Sequence, residues 1–326
     1  MRLWTMAMLA LLLGTNVAQA QDCTLKQYTS VPMEVYPDHL LLPVTLGTMP
    51  AKLLFQMGAA ANGINSDVAE KLDLHISSIP PNVHINREGN EITRFARVPE
   101  MRLGGQTLKD MEFLMLRPGR YGDGVVGDLG THLFEHVDLE LDMAGGKFNL
   151  FSPDHCPGKV VYWTKTGFAQ LPLKPDRELG FIRAEVMLDG HPITVAFATT
   201  GHSRIGMNTM RQFFNVDETS PDLVAVSQDL LGHKLYKYPF KVLTAEGLTI
   251  SNPDILVYDE EPRPACNNNV HFTDPDPSIL HTTAQPRLTR NFGCEDAILG
   301  LSVLSKLHMY ISEKENMIYL TDAKAN

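Results

Sequence analysis

One ordered set of strand and turn signals occurs twice in this 326-residue chain, and that duplication restricts the fold more than any single motif does. The first copy begins LPVTLGTMPAKLLFQMGAAANGINSDVAEKL at Leu42, and the second begins AEVMLDGHPITVAFATTGHSRIGMNTMRQFF at Ala184. Each opens with an alternating, strand-like segment that stops at a Gly turn, Gly47 in one and Asp189-Gly190 in the other. A proline follows (Pro50, Pro192), then a second apolar strand that runs into a small loop ending at Gly58 or Gly201. Beyond the loop come an apolar residue (Ile64, Ile205) and a short helix. Asn65 or Ser66 is the expected cap of the first helix and Asn208 of the second. Further on, each half presents two apolar residues and a glycine, Val125-Val126-Gly127 and Ile298-Leu299-Gly300. Both halves close on period-2 segments around a tight turn, VDLELDMAGGKFNLFS from Val137 and HMYISEKENMIYLTD from His308. That is the pattern of a β-hairpin.

This order of elements resembles the half-barrel unit of the aspartic proteases, in particular the bacterial retropepsin-like aspartyl proteases. The resemblance covers roughly residues 38–152 and 179–322. It implies a mainly β, bilobal acid-protease fold: two homologous β-barrel-like lobes with short helices, and a cleft for an extended peptide between them. The lobes divide near Cys156-Pro157-Gly158, giving an N-terminal lobe at 21–156 and a C-terminal lobe at 157–326. In that family the small loop reads Asp-Thr/Ser-Gly, and the later apolar-apolar-Gly packs beneath it. Here that implies Val126, Gly127, Leu299 and Gly300 as supports of the two loops.

The loops depart from the family where its chemistry lies. Two apposed carboxylates share a proton, so that one donates while the other activates water. Anchored on Gly58, the family's Asp position falls on Gln56 and its Thr/Ser position on Met57. Anchored on Gly201, the same positions fall on Thr199 and Thr200, whereas counting from Pro192 gives Ala198. Neither register yields an Asp. Gln56 does not titrate near neutral pH, and a Thr hydroxyl is no general base without a partner that deprotonates it. The family's Thr also buttresses the opposite loop, a role open to Thr200 and closed to Met57. The expected cleft residues are therefore Gln56, Met57, Gly58, Thr199, Thr200 and Gly201, with no catalytic pair among them.

Other chemistry is thinly represented. Asp67 stands in the first turn of the first helix, where an acid stabilises the helix dipole. Asp123 and Asp128 flank Val125-Val126-Gly127, and Asp128 is the acid from which an asymmetric peptidase site would be built. Gly201-His202-Ser203-Arg204-Ile205-Gly206 is not the G-x-S-x-G nucleophile elbow. The twelve His form no HExxH and no GxxxxGK[ST] occurs, so no metal and no cofactor is expected. Lys plus Arg number 28 against 38 Asp plus Glu, without a long basic run, which argues against a nucleic-acid partner.

The first twenty residues read as a secretory signal peptide: Arg2, an apolar run from Met6 to Leu13, and Ala18-Gln19-Ala20 at the cleavage point. The apolar run is too short to span a bilayer, no later stretch reaches the length a span needs, and the protein is expected in the periplasm or secreted. An exported chain with Cys23, Cys156, Cys266 and Cys294 is expected to form two disulfides. Three pairings are open; spacing favours Cys266 with Cys294, which leaves Cys23 with Cys156. The second half is roughly thirty residues longer than the first, and the excess falls in a Pro-, Asn- and Asp-rich insertion at about 259–294. The expected function is that of a monomeric pseudoprotease of the cell envelope, holding a peptide or envelope-protein segment in its cleft. Its alternatives are an active aspartyl peptidase using Asp128, and an interaction protein acting through the insertion.

Overall fold

The computed structural model describes residues 24–59, 61–81, 85–87, 90–119, 121–122, 124–165, 167–174, 182–228, 232–259 and 295–325. The signal peptide, Cys23, Cys266, Cys294, Asp123 and nearly all of the 259–294 insertion lie outside the described residues; among those described, no cysteine is free.

The chain is mainly β, and its described residues form three large sheets and one small hairpin. An eight-stranded sheet is drawn from residues 34–129, and a nine-stranded sheet from residues 183–299. Each grows from the hairpin that the sequence marks. Leu40–Leu46 pairs with Met49–Phe55 across Gly47-Thr48, and Arg183–Leu188 pairs with His191–Phe197 across Asp189-Gly190. Asp189 and Gly190 both adopt positive φ, 47° and 83°, the geometry for which an Asp-Gly turn is selected. The second strand of each hairpin then takes a parallel neighbour from much later in the chain, Val125–Leu129 in one sheet and Ala297–Leu299 in the other.

The third sheet joins the halves. Its order is Gln27–Pro32, Lys147–Phe151, Asp138–Asp142, Leu307–Ser312, Met317–Asp322, Ala169–Pro172. The two closing hairpins meet at its centre, where Leu139 faces Ile311 and Asp142 faces His308 in antiparallel register. Leu139 and Leu141 point into the main apolar core, which is continuous through both halves. Alternation of this kind ordinarily marks a sheet with one wet face. Here Asp138 and Glu140 are fully buried as well: they share their face with Phe151, Tyr310 and Tyr319 of the neighbouring strands, and the segment carrying Val160 and Trp163 packs over that face. Trp163 stacks flat on His308, centroids 4.1 Å apart and planes 2° from parallel.

Two cap expectations are corrected. Asn65 is the N-cap residue of Ser66–Lys71 but makes no side-chain cap bond; its Nδ2 donates instead to the Val125 carbonyl at 3.3 Å. In the second half Gly206, not Asn208, occupies the cap, and Asn208 accepts from Arg211. Among the described residues no helix is long and apolar enough to cross a membrane.

Candidate functional site

The two small loops meet. Thr199, fully buried at the end of the strand His191–Phe197, donates its hydroxyl to the Phe55 carbonyl at 2.5 Å and accepts from the Met57 N–H at 2.9 Å. One side chain thus ties the main chain on both sides of Gln56 to the opposite loop. A second strap runs beside it: the Gly201 N–H donates to the Asp38 carbonyl at 2.7 Å, and His39 bridges Thr200. His39 lies 2.7 Å from the Asp38 carboxylate and stacks on Tyr36 at 4.5 Å.

Main-chain bonds fix the register between the loops. The Gln56 N–H donates to Leu129 O at 2.9 Å, and the Ala198 N–H donates to Leu299 O at 2.9 Å. The Thr131 N–H donates to Ala59 O at 2.8 Å, and the Leu301 N–H donates to Gly201 O at 3.0 Å. Gln56-Met57-Gly58-Ala59 therefore corresponds to Ala198-Thr199-Thr200-Gly201. This corrects the reading anchored on Gly201. Ala198, not Thr199, is the counterpart of Gln56, and Thr199, not Thr200, buttresses the opposite loop. Thr199 is out of the cleft altogether, since it is fully buried. Met57 is equally buried and packs in the core, so the bridge has no reciprocal partner from the first loop. Gln56, Gly58, Ala198, Thr200 and Gly201 remain partly exposed.

The loop supports shift for a related reason. Val125 pairs with Lys52 and Gly127 with Leu53, so Val126 is the extra residue of a bulge. The counterpart of Ile298-Leu299-Gly300 is consequently Asp128-Leu129-Gly130, three residues beyond Val125-Val126-Gly127. Gly130 and Gly300 occupy the same place: each is the cap of a short helix, Thr131–Phe134 or Leu301–Leu304, with φ near −90°. Their N–H groups find side-chain acceptors from equivalent loops, Asn62 Oδ1 at 3.0 Å and Ser203 Oγ at 2.9 Å. Gly127 does support the sheet, in a different way. A Cβ there would lie 2.1 Å from Gly63 O, as one on Gly300 would lie 2.5 Å from Gly201 O. Leu299 and Gly300 stand where the sequence places them.

Asp128, the acid from which the sequence would build an asymmetric site, lies on the strand beneath the first loop. It pairs with Leu54 across the parallel ladder, which puts it on the same sheet face as Leu54 and, two residues on, Gln56. It is fully buried, and its carboxylate accepts a hydrogen bond from the Tyr121 hydroxyl. Its counterpart in the second half is Ile298, so no second carboxylate opposes it. Ala198, Asn62, Gly130 and Tyr121 were not singled out as site residues from the sequence; only Ala198 had a signal there, the count from Pro192. Among the described residues no group of three His, Cys, Asp or Glu side chains is arranged to hold a metal.

A hairpin that leads into a small buried loop, crossed by a strand from later in the chain, defines an acid-protease type of lobe. The family model for aspartyl protease matches residues 42–130, so the first half carries an aspartyl protease-like domain. No curated protein matches the chain.

Proposed function

We propose that this chain is an exported pseudoprotease. In this reading its two aspartyl protease-like lobes, 21–156 and 157–326, hold an extended peptide segment of an envelope protein in the cleft between them. The observation that carries it is the residue pair at the joined loops, Gln56 and Ala198. An amide and a methyl group stand where water activation needs two carboxylates sharing a proton. Asp128 does not restore the pair, because its opposite number is Ile298. Recognition is a separate matter: an extended peptide is held chiefly by main-chain hydrogen bonds, with side-chain pockets setting preference, and neither requires the acids. The Ala18-Gln19-Ala20 signature supports export, and the internal duplication supports a monomer.

Purified protein lacking residues 1–20 is expected not to cleave unfolded protein between about pH 3 and 7. Pepstatin-sensitive cleavage abolished by Asp128→Asn would overturn this reading in favour of an active peptidase. Binding is tested with peptides selected from a display library. The counterpart of position 58, Thr200, carries a side chain, so Gly58→Trp should fill the groove and abolish binding, with a melting scan to check the fold. Deleting residues 267–290 should leave binding intact. The opposite pair of outcomes would move the function to the insertion. Non-reducing mass mapping is expected to join Cys266 to Cys294 and Cys23 to Cys156; a Cys23–Cys266 bridge would refute the division into two lobes.

A further inference from the structure

A cavity of about 430 Å³ opens in the first half, away from the joined loops. Its apolar lining is Ile92, Met115 and Leu116, all at least nine-tenths buried, beside polar Ser66 and Thr93. Its rim carries Arg94 and Arg117, both exposed, with Glu91 as the acid beside them. Leu116 pairs with Asn65, and Asn65 bonds the Val125 carbonyl, so the cavity lies at the far end of Val125–Leu129 from Gln56.

Among the described residues the two arginines differ from the others in having no partner. Arg97, Arg102, Arg183 and Arg211 each meet a carboxylate, at Glu112, Glu100, Glu295 and Glu218, and Arg204 lies over the Tyr258 ring. Among the described residues neither Arg94 nor Arg117 has an ion pair or a side-chain hydrogen bond. In a chain of net charge −10, acidic partners are plentiful, and two guanidinium groups on one rim with no partner among the described residues are conspicuous. A guanidinium presents a planar fork of donors matched to a carboxylate, and an apolar floor below it excludes water from the rest of the ligand. The volume falls in the range of small-molecule sites and exceeds what a single peptide side chain fills.

We propose that this cavity binds a small organic carboxylate, its charge held between Arg94 and Arg117 and its apolar body seated on Ile92, Met115 and Leu116. The site is independent of the interlobe cleft. Calorimetric titration with 4-phenylbutyrate tests it, against 4-phenylbutanol as the uncharged match and an acidic hexapeptide as the macromolecular alternative. Saturable binding of the carboxylate is expected, at least tenfold tighter than the alcohol, and lost in the Arg94→Gln/Arg117→Gln double variant. Arg→Lys at both positions should weaken it measurably, because charge is kept and the fork is not. Both residues are exposed, so the variants should melt with the parent, and a melting scan checks that. Equal binding of acid and alcohol, retention by the double variant, or binding of the hexapeptide alone would each overturn the proposal.

Discussion

Replacing Thr199 by Val should destabilise the chain by about 2–5 kcal/mol, whereas Thr199→Ser should cost about 1 kcal/mol or less. Valine keeps the shape of threonine and removes only the hydroxyl, which donates to Phe55 O at 2.5 Å and accepts from Met57 N–H at 2.9 Å. Both Phe55 and Met57 are fully buried, so no water replaces the lost partner. An unsatisfied buried main-chain group costs about 1–3 kcal/mol, and here there are two. Serine keeps both bonds and forfeits one methyl group. Chemical denaturation of the three proteins gives the comparison. A Val variant within about 0.5 kcal/mol of the parent would show that the loops are held together by something other than this hydroxyl.

That bridge also indicates what the sequence could and could not disclose. The hairpins at Gly47 and Asp189-Gly190, the paired small loops and the closing hairpins were legible, because each rests on short-range alternation and on turn residues with a fixed conformational preference. Gln56 and Met57 were read from Gly58, and in the first loop the anchor on Gly58 and the count from Pro50 agree. The second loop was misread by one residue and the first loop's support by three. Both errors have a physical origin. In the first half the apolar-apolar-Gly pattern falls on Val125-Val126-Gly127, whereas the true counterpart of Ile298-Leu299-Gly300 begins with an acid, Asp128-Leu129-Gly130, so the pattern match stopped three residues short. In the second loop, Gly201 is the counterpart of Ala59, which carries a side chain, so the glycine was a poor anchor. Register in a sheet is decided by pairing with distant strands, Leu129 and Leu299 here, and a linear pattern does not contain those partners.

The buried polar face of the joining sheet was wholly illegible, since Asp138 and Glu140 alternate with leucines as residues on a solvated face do. Their burial depends on the segment that crosses them, residues 152–163. Glu140 accepts from Asn149 Nδ2 at 2.5 Å and the Tyr162 hydroxyl at 2.8 Å, and lies 2.8 Å from His308 Nε2. Strands from both halves and the connecting segment therefore converge on one pair of carboxylates, and this is the mechanical centre of the two-lobed arrangement.

The second large effect is expected at Asp138. Its Oδ2 lies 2.6 Å from His155 Nε2 and accepts from the Tyr310 hydroxyl at 3.0 Å, while Oδ1 accepts from the Glu313 N–H at 3.3 Å. Ser312 and Glu315 complete the group, the latter 3.2 Å from His155 Nδ1 and bonded by the Tyr319 hydroxyl. Asp138→Ala should cost about 3–5 kcal/mol, because it leaves His155 and Tyr310 buried without their acceptor. Burial raises the Asp138 carboxyl above its ordinary range, and the bonds from His155, Tyr310 and Ser312 pull it only part of the way back. The sign of the pH dependence follows. With the folded pKa above the unfolded one, the native chain holds this proton more tightly. Stability conferred at Asp138 is then full below about pH 4 and is lost as pH rises through the raised value, by at most about 1.4 kcal/mol per pH unit. Asp138→Asn is permanently neutral and should flatten that part of the profile, while paying a smaller, pH-independent penalty where its Nδ2 faces the Glu313 N–H. Denaturation midpoints of parent, Asn and Ala variants from pH 4 to 7 measure both effects. Parallel profiles for parent and Asn variant would mean that Asp138 is ionised throughout, and that the His155 contact, not burial, sets its charge.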